Sequence, residues 1–174
     1  MLYAVKIEKR CYKFKIQNGP IVDLTPNIIE SIIPFLQKNT IDCEACGLLV
    51  GYQNKRSGNI TINNLSLPGK SDMRNRMFCK LKDRVHRLFL SKQNLNKNYY
   101  IGNWHTHPQD IPFPSRTDFV EWNTVLKKDK TSCHYAFFLI FGNREFKMWY
   151  GDYRTMCILE AEEMPRNNDL YIKE

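Results

Sequence analysis

The sequence predicts an α/β fold with a central mixed sheet and helices packed on it. Stretches that alternate apolar and polar residues with a period of two, the mark of strands, recur along the chain. Between them lie segments with helical spacing and helix-start signals. At 174 residues the chain suits one domain, residues 1–174, with a real hydrophobic core. Its 43% hydrophobic and 25% charged residues lie near the averages for soluble globular proteins.

In chain order, Val5 to Glu8 and Tyr12 to Ile16 alternate and predict an opening hairpin or edge strands. Thr25 is placed as the N-cap of a helix, with Pro26 at its first position. Ile28, Ile29, Ile32, Ile33, Phe35 and Leu36 form its buried face, and Pro34 kinks it. Gly47 to Tyr52 reads as a strand, Asn54 to Gly58 as a turn and Asn59 to Leu67 as the partner strand. Ser71 to Leu81 is expected to hold another strand, rich in Arg and Lys at alternate positions. Asp83 to Leu95 reads as a helix with Val85, Leu88, Phe89 and the Lys92 stem facing inward. A strand then leads into His105, and a helix runs from Arg116 to Asp129. His134 to Phe141 and Glu145 to Tyr150 form a hairpin around Gly142-Asn143. From residue 160 onward five acids stand against Arg166 and Lys173, a net of −3 in a chain of +8. That stretch, 160–174, is expected to be a polar, loosely held tail.

The residues that carry chemistry are in Trp104-His105-Thr106-His107-Pro108, followed by Ser115 and Asp118. On a strand His105 and His107 point the same way, so their imidazoles can meet one ion. Pro108 cannot continue a central ladder and ends the strand. Ser115 sits where a helix N-cap would, and Asp118 falls in the first turn, where the chain can return to the histidines. A lone His near a strand end is usually only a satisfied polar residue. Ser-x-x-Asp is also the form of an ordinary helix start, with Ser capping and an acid on the dipole. Two imidazoles and one carboxylate together, with a fourth position left to water, are the ligand set of a catalytic zinc site.

His-Thr-His, seven residues, then Ser-x-x-Asp, with Glu44 upstream, resembles the JAMM (MPN-plus) metallopeptidase motif. Glu44-Ala45-Cys46-Gly47-Leu48-Leu49-Val50-Gly51 is similar to that family's Glu-x-Gly-Gly-x-x-x-Gly segment, with Cys46 standing in place of the first glycine. The resemblance implies a three-layer α/β/α sandwich of cytidine-deaminase type, although the deaminase signature itself is absent. It implies one Zn2+ per chain held by His105, His107 and Asp118. It gives Glu44 the role of the base that carries a proton from water to a leaving amine. Ser115 would stabilise the oxyanion of the attacked carbonyl, a kind of donor whose loss typically costs about 3–4 kcal/mol of barrier. Glu44 could otherwise be a plain acid at a strand start.

Gly102 to Trp122 is similar to one bacterial branch, the small stand-alone JAMM proteins of anti-phage CBASS operons. There the resemblance implies a zinc isopeptidase that removes a cGAS-like nucleotidyltransferase attached through its C-terminus by E1- and E2-like proteins. The partner would be a protein substrate with an extended C-terminal tail, pairing with a strand edge within Asn59–Leu81. Asn103 to Pro112 would form the other wall. Two alternatives stand beside it. One is a JAMM peptidase that processes a ubiquitin-like or sulfur-carrier protein in another pathway. The other is a non-catalytic binding scaffold of the metal-less MPN kind.

The net charge of +8, with a sequence pI near 9.2, reads first as a solvated basic surface. A basic cleft would favour an acidic or carboxylate-bearing tail. No nucleic-acid motif or single-strand groove accompanies the charge, so a nucleic-acid partner is not expected. The N-terminus lacks the apolar run of a signal peptide, and Ala136 to Phe141 is too short to span a bilayer. A cytoplasmic protein is expected, with its six cysteines mostly reduced. Cys43 and Cys46 are read as incidental thiols rather than a redox pair. His86 and His134 are read as ordinary residues.

Overall fold

The computed structural model describes residues 7–165. Tyr12–Lys15 (β1) alternates buried and exposed as expected, but its hairpin partner is Ile21–Leu24 (β2). The turn between them uses Asn18 at φ 54°, a conformation that asparagine tolerates. Of the expected first strand, Val5 and Lys6 lie outside the described residues, and Ile7 and Glu8 are not in a strand.

Pro26 opens α1 (Pro26–Ile32), whose Ile28, Ile29 and Ile32 are fully buried. Pro34 lacks an N–H to continue the ladder, and the chain tightens there into a 3-10 turn, Ile33–Phe35. Thr25 holds the N-cap position, yet its hydroxyl donates to the side-chain oxygen of Asn27 at 2.5 Å, with the Ile62 carbonyl farther off at 3.3 Å, instead of capping the helix. Cys46–Gln53 (β3) and Ile60–Leu65 (β4) pair antiparallel across the expected turn.

Residues 71–81 do not form one strand. The side-chain oxygen of Asn75 accepts the N–H groups of Met77 and Phe78, a local turn that asparagine favours. It folds the segment into a small hairpin of Met73–Arg74 (β5) and Cys79–Lys80 (β6). The helix that follows, α2 (Val85–Leu95), is rotated from its expected facing. Val85 is 40% exposed and Leu88 57% exposed. The inward stripe is His86, Phe89, Leu90 and Gln93, the i, i+3, i+4, i+7 spacing of one helix face. His86 fixes this rotation, because Ser66 Oγ and the Asp72 carboxylate each lie 2.7 Å from one of its ring nitrogens.

Tyr99–Thr106 (β7), α3 (Arg116–Lys128), Tyr135–Phe141 (β8) and Phe146–Asp152 (β9) fall where the sequence places them. Cys157–Glu160 (β10) and Glu162–Glu163 (β11) add two strands the sequence did not disclose. The tail is therefore not loose from residue 160: β11 pairs with β1, and Ala161 is buried. Residues 166–174 lie outside the described residues.

The main sheet is mixed, with the order β10-β9-β8-β7-β3-β4-β2-β1-β11 and parallel pairing at β7–β8 and β2–β4. Only Ala161 separates β10 from β11 in the chain, yet they occupy opposite edges. The sheet must curl until its edges lie within about 7 Å, the reach of two Cα steps. Inside the curl sits the main core, where the isoleucines of α1 meet Phe14, Leu49, Trp104, Phe137 and Leu139. Alternate residues of β8, Ala136, Phe138 and Ile140, face outward and meet Trp122, Val125 and Leu126 of α3. Trp122 stacks on Phe138 with ring centroids 4.8 Å apart. The α2 helix packs on β3 and β7.

Two backbone features aim the strand that bears the histidines. Opposite β3, Gly102 pairs with Leu49 and Tyr100 with Val50, so Ile101 is an extra residue in the ladder. Such a bulge reverses which face later residues take. Ile101 and Trp104 both turn into the core, and His105 and His107 face out beside α3. Gly102 also lets β7 approach β8 closely, since a Cβ there would lie 1.8 Å from the carbonyl oxygen of Phe137. Gly102→Ala should force the strands apart and cost about 1–3 kcal/mol of stability, read as a lower urea midpoint; an unchanged midpoint would mean the sheet yields freely.

Candidate metal centre

His105 is anchored in β7, between β3 and β8. His107 follows the strand, held where its N–H donates to the carbonyl of Phe141 at 2.9 Å. Asp118 arrives from α3. Ser115 caps that helix: its Oγ accepts the Asp118 N–H at 3.1 Å, and the Asp118 carboxylate accepts the Ser115 N–H at 2.5 Å. This reciprocal capping box fixes the carboxylate at the helix start and turns it toward the histidines.

The three ligand groups converge. His105 Nε2 lies 3.1 Å from His107 Nε2 and 3.1 Å from one Asp118 oxygen, and His107 Nε2 lies 3.5 Å from the other. Ligands about 2.0–2.1 Å from a tetrahedral zinc sit about 3.3–3.4 Å from one another. Spacing of this order lets the three residues share one ion, and they could hold a metal. The side chains are 12% exposed at each histidine and 9% at the aspartate, which leaves one open side.

Glu44 lies just before β3, and its backbone is fixed from two directions. Its N–H donates to the carbonyl of Asn75, and its own carbonyl accepts from Arg74 Nε, both at 2.7 Å. Next to it, the Ala45 N–H donates to Thr106 Oγ1 at 2.9 Å, tying this segment to the histidine strand. Glu44 lines one cleft of about 420 Å3 together with His107, Ser115, Asp118 and Glu121. The five residues expected to form the site are thus brought together.

Burial pushes the Glu44 carboxyl from the usual 4.5 up to about 8; His107 pulls it back, while Asp118 and Glu121 push it further up. Burial would also raise Asp118, but hydrogen bonds and charge from both histidines outweigh it and hold that carboxyl well below its ordinary range. Burial lowers His107, yet the Asp118 bond and charge, with Glu44, leave it raised. Glu121, one helical turn beyond Asp118, is raised by burial and by the Asp118 charge, with His105 and Lys80 opposing. Sequence reasoning missed Glu121, although its i+3 spacing from Asp118 on the same helix is a usable signal.

A pH effect follows for the metal-free protein. The folded-state pKa of Glu44 is above its ordinary value, so the stability tied to its proton is complete below about 4.5 and disappears as pH rises through about 8. Urea midpoints of metal-free wild type should fall across this window relative to Glu44→Gln. Parallel curves for the two would show that Glu44 does not carry the effect. Bound divalent metal should flatten the difference, since its charge favours the carboxylate.

Several expectations need correction here. Within the expected stretch Asn59–Leu81, the cleft wall facing α3 is the β5–β6 hairpin, through Arg76 to Cys79, and not β4, which is no edge, lying between β3 and β2. The other wall runs past Pro108 and Gln109 to Phe113, Pro114 and α3. The cleft is not basic: Arg76 shares it with Glu44, Asp118 and Glu121. The cysteines are not all free thiols, for Cys46 is joined to Cys79 with Cα atoms 5.9 Å apart. Cys43 stays free and exposed, so Cys43 and Cys46 form no pair with each other. The side chain standing where the resemblance has glycine is thus accounted for: it ties β3 to the hairpin. His86 is bonded to Ser66 and Asp72.

The model for prokaryotic homologs of the JAB domain matches residues 27–152, and the chain belongs to that family. A Vibrio cholerae protein named CD-NTase/cGAS isopeptidase is 28% identical over 145 residues, covering 79% of this chain and 85% of its own. An Escherichia coli protein of the same name is 31% identical over 106 residues, covering 58% of this chain and 65% of its own. The solution structure of a protein from Desulfitobacterium hafniense shares the fold, with a TM-score of 0.54 at 19% identity over 80% of this chain and 88% of that one. Among the described residues no helix is long and apolar enough to cross a membrane.

Proposed function

We propose that this chain is a zinc-dependent isopeptidase that hydrolyses the amide bond formed by the C-terminal carboxyl of a conjugated protein. The observation that carries this reading is the convergence of His105, His107 and Asp118, one ligand atom from each lying within 4.8 Å of the others, with a buried carboxylate, Glu44, in the same cleft as His107 and Asp118. The intact set speaks against a metal-less scaffold.

His105 and His107 would hold the ion through Nε2, and Asp118 through its carboxylate. A zinc ion held there supplies Lewis acidity and lowers the pKa of water from about 15.7 towards 7. Glu44 takes the proton from the attacking water and delivers it to the departing amine; its burial makes it a stronger base than a surface carboxylate. The Ser115 Oγ accepts the Asp118 N–H, which leaves its own proton free to donate to the carbonyl oxygen as charge develops. The substrate tail runs between β6 and α3, pairing with the free edge of β6 so that its terminal carbonyl reaches the cleft floor.

The names borne by the Vibrio cholerae and Escherichia coli relatives support a cGAS-like nucleotidyltransferase as the conjugated protein; we place it in a CBASS system in the cytoplasm. The same reading takes the whole chain as one domain. It also takes α1 within the curl and α2 and α3 outside it as the layers of a deaminase-type sandwich.

The test uses a cGAS-like nucleotidyltransferase whose C-terminal carboxyl is linked to a lysine ε-amine. Purified protein should carry about one zinc per chain and release the nucleotidyltransferase at its intact mass. Chelation should stop release and added zinc restore it. Failure of the zinc-loaded protein to cleave, or cleavage indifferent to chelator, sinks the reading.

A further inference from the structure

The hairpin that walls the cleft is small. Each of its strands has only two residues, and they form a sheet apart from the main one. Its base is held at Asp72, which accepts the N–H groups of Gly69, Lys82 and Asp83 and meets His86. Its β5 side is held at Glu44, through the bonds of Asn75 and Arg74. Its turn is held where the Arg76 carbonyl accepts from Gln37.

The β6 side differs. Among the described residues, no hydrogen bond or ion pair joins Phe78, Cys79 or Lys80 to anything outside the hairpin. The Cys46–Cys79 bond is their covalent tie to the body, beside the longer-range attraction between Lys80 and Glu121. Cys46 pairs directly with His105 in the ladder, so its side chain projects on the same face as that imidazole. Cys79 lines the cleft. At the turn of the hairpin Met77 is 77% exposed, and Phe78 and Cys79 are only half-buried.

We propose that the Cys46–Cys79 bond is a redox-operated latch on the cleft wall: closed, it holds β6 in place to receive a substrate tail, and opened by a dithiol, it releases that strand. The inference rests on the tail-binding reading above and adds its regulation. In the opening step a thiolate of the dithiol attacks Cys79 Sγ from the cleft, the S–S bond breaks and Cys46 leaves as a thiolate. The second thiol of the reductant then attacks the mixed disulfide and frees Cys79. Two electrons pass from the dithiol, which ends as a disulfide, to the protein, which ends with two thiols. A disulfide in a cytoplasmic protein is usually of this transient, redox-sensing kind.

The test compares oxidised full-length protein with the same protein reduced by a dithiol, desalted without air and reloaded with zinc. Alkylation should label Cys46 and Cys79 only after reduction. Amide hydrogen exchange of residues 73–80 should speed up at least about tenfold, the mark of a locally opened segment. With the lysine-linked nucleotidyltransferase as probe, KM should rise about tenfold while kcat holds within about twofold, as expected when a binding wall loses its preorganisation. Cys46→Ser/Cys79→Ser should behave as the reduced protein does, and chemical reduction remains the test if that variant folds poorly. Unchanged exchange at 73–80, or faster exchange with unchanged KM, overturns the latch. If the oxidised protein cleaves nothing, the function proposed above fails, and the exchange comparison still decides whether the bond holds the wall.

Discussion

Glu44→Gln is expected to remove amide cleavage and leave the zinc in place. General acid–base groups contribute about 100- to 10,000-fold, and the loss should fall in that range, in kcat more than in KM. The substitution keeps the shape of the side chain. It also leaves untouched the backbone bonds from Asn75, Arg74 and Thr106 that hold the segment. What changes is the capacity to take a proton. Glu44 is suited to that because it is buried beside two further carboxylates, Asp118 and Glu121, with His107 the one group pulling the other way. Glutamine removes the like-charge conflict, so the variant should be at least as stable as wild type near pH 8. Zinc content by metal analysis, turnover of the lysine-linked conjugate and a urea melt separate these effects. Full turnover by the variant would remove Glu44 from the mechanism and leave it a buried acid without a task.

The site was legible because its residues are few and their spacing is rigid. His105 and His107 had to share a face, and Ser115 with Asp118 had to open a helix; both are local facts. The resemblance carried Glu44, which no local spacing could have linked to a strand some sixty residues away. What escaped depended on contacts between distant segments. Period two alone places His105 on the same side as Ile101, and only the bulge at Ile101 sends one inward and the other out. The facing of α2 turned on His86, which looked ordinary but draws its helix round to reach Ser66 and Asp72. The stretch from 71 to 81 has the alternation of a strand, yet the Asn75 side chain breaks it into a hairpin. The pairing of Cys46 with Cys79 followed from that fold-back, and so did the cleft wall. Of the last strands, β10 is a four-residue hairpin partner of β9, too short to stand out, while β11 is two glutamates that gain a partner, β1, only through the curl of the whole sheet.

Asp118 tests whether capping and metal binding can be separated, because one carboxylate is placed to do both. Asp118→Ala should lose the ion pairing with both histidines and the bond from the Ser115 N–H. The lost hydrogen bond alone should cost about 0.5–1.5 kcal/mol. Asp118→Asn keeps an oxygen that can accept the Ser115 N–H, so the helix start and the urea midpoint should stay near wild type. Its neutral amide is a poor partner for a dication. Disturbing the surroundings of metal ligands costs about 10- to 100-fold in affinity, and loss of a ligand itself should exceed that, leaving the zinc-depleted variant inactive. In the metal-free state His107 provides a second readout. Its raised pKa depends on the Asp118 bond and charge outweighing burial, so in Asp118→Asn the imidazole should titrate lower than in wild type, measurable by NMR. If Asp118→Asn binds zinc and turns over substrate like wild type, the carboxylate is a helix cap alone, and the two histidines need a different third ligand.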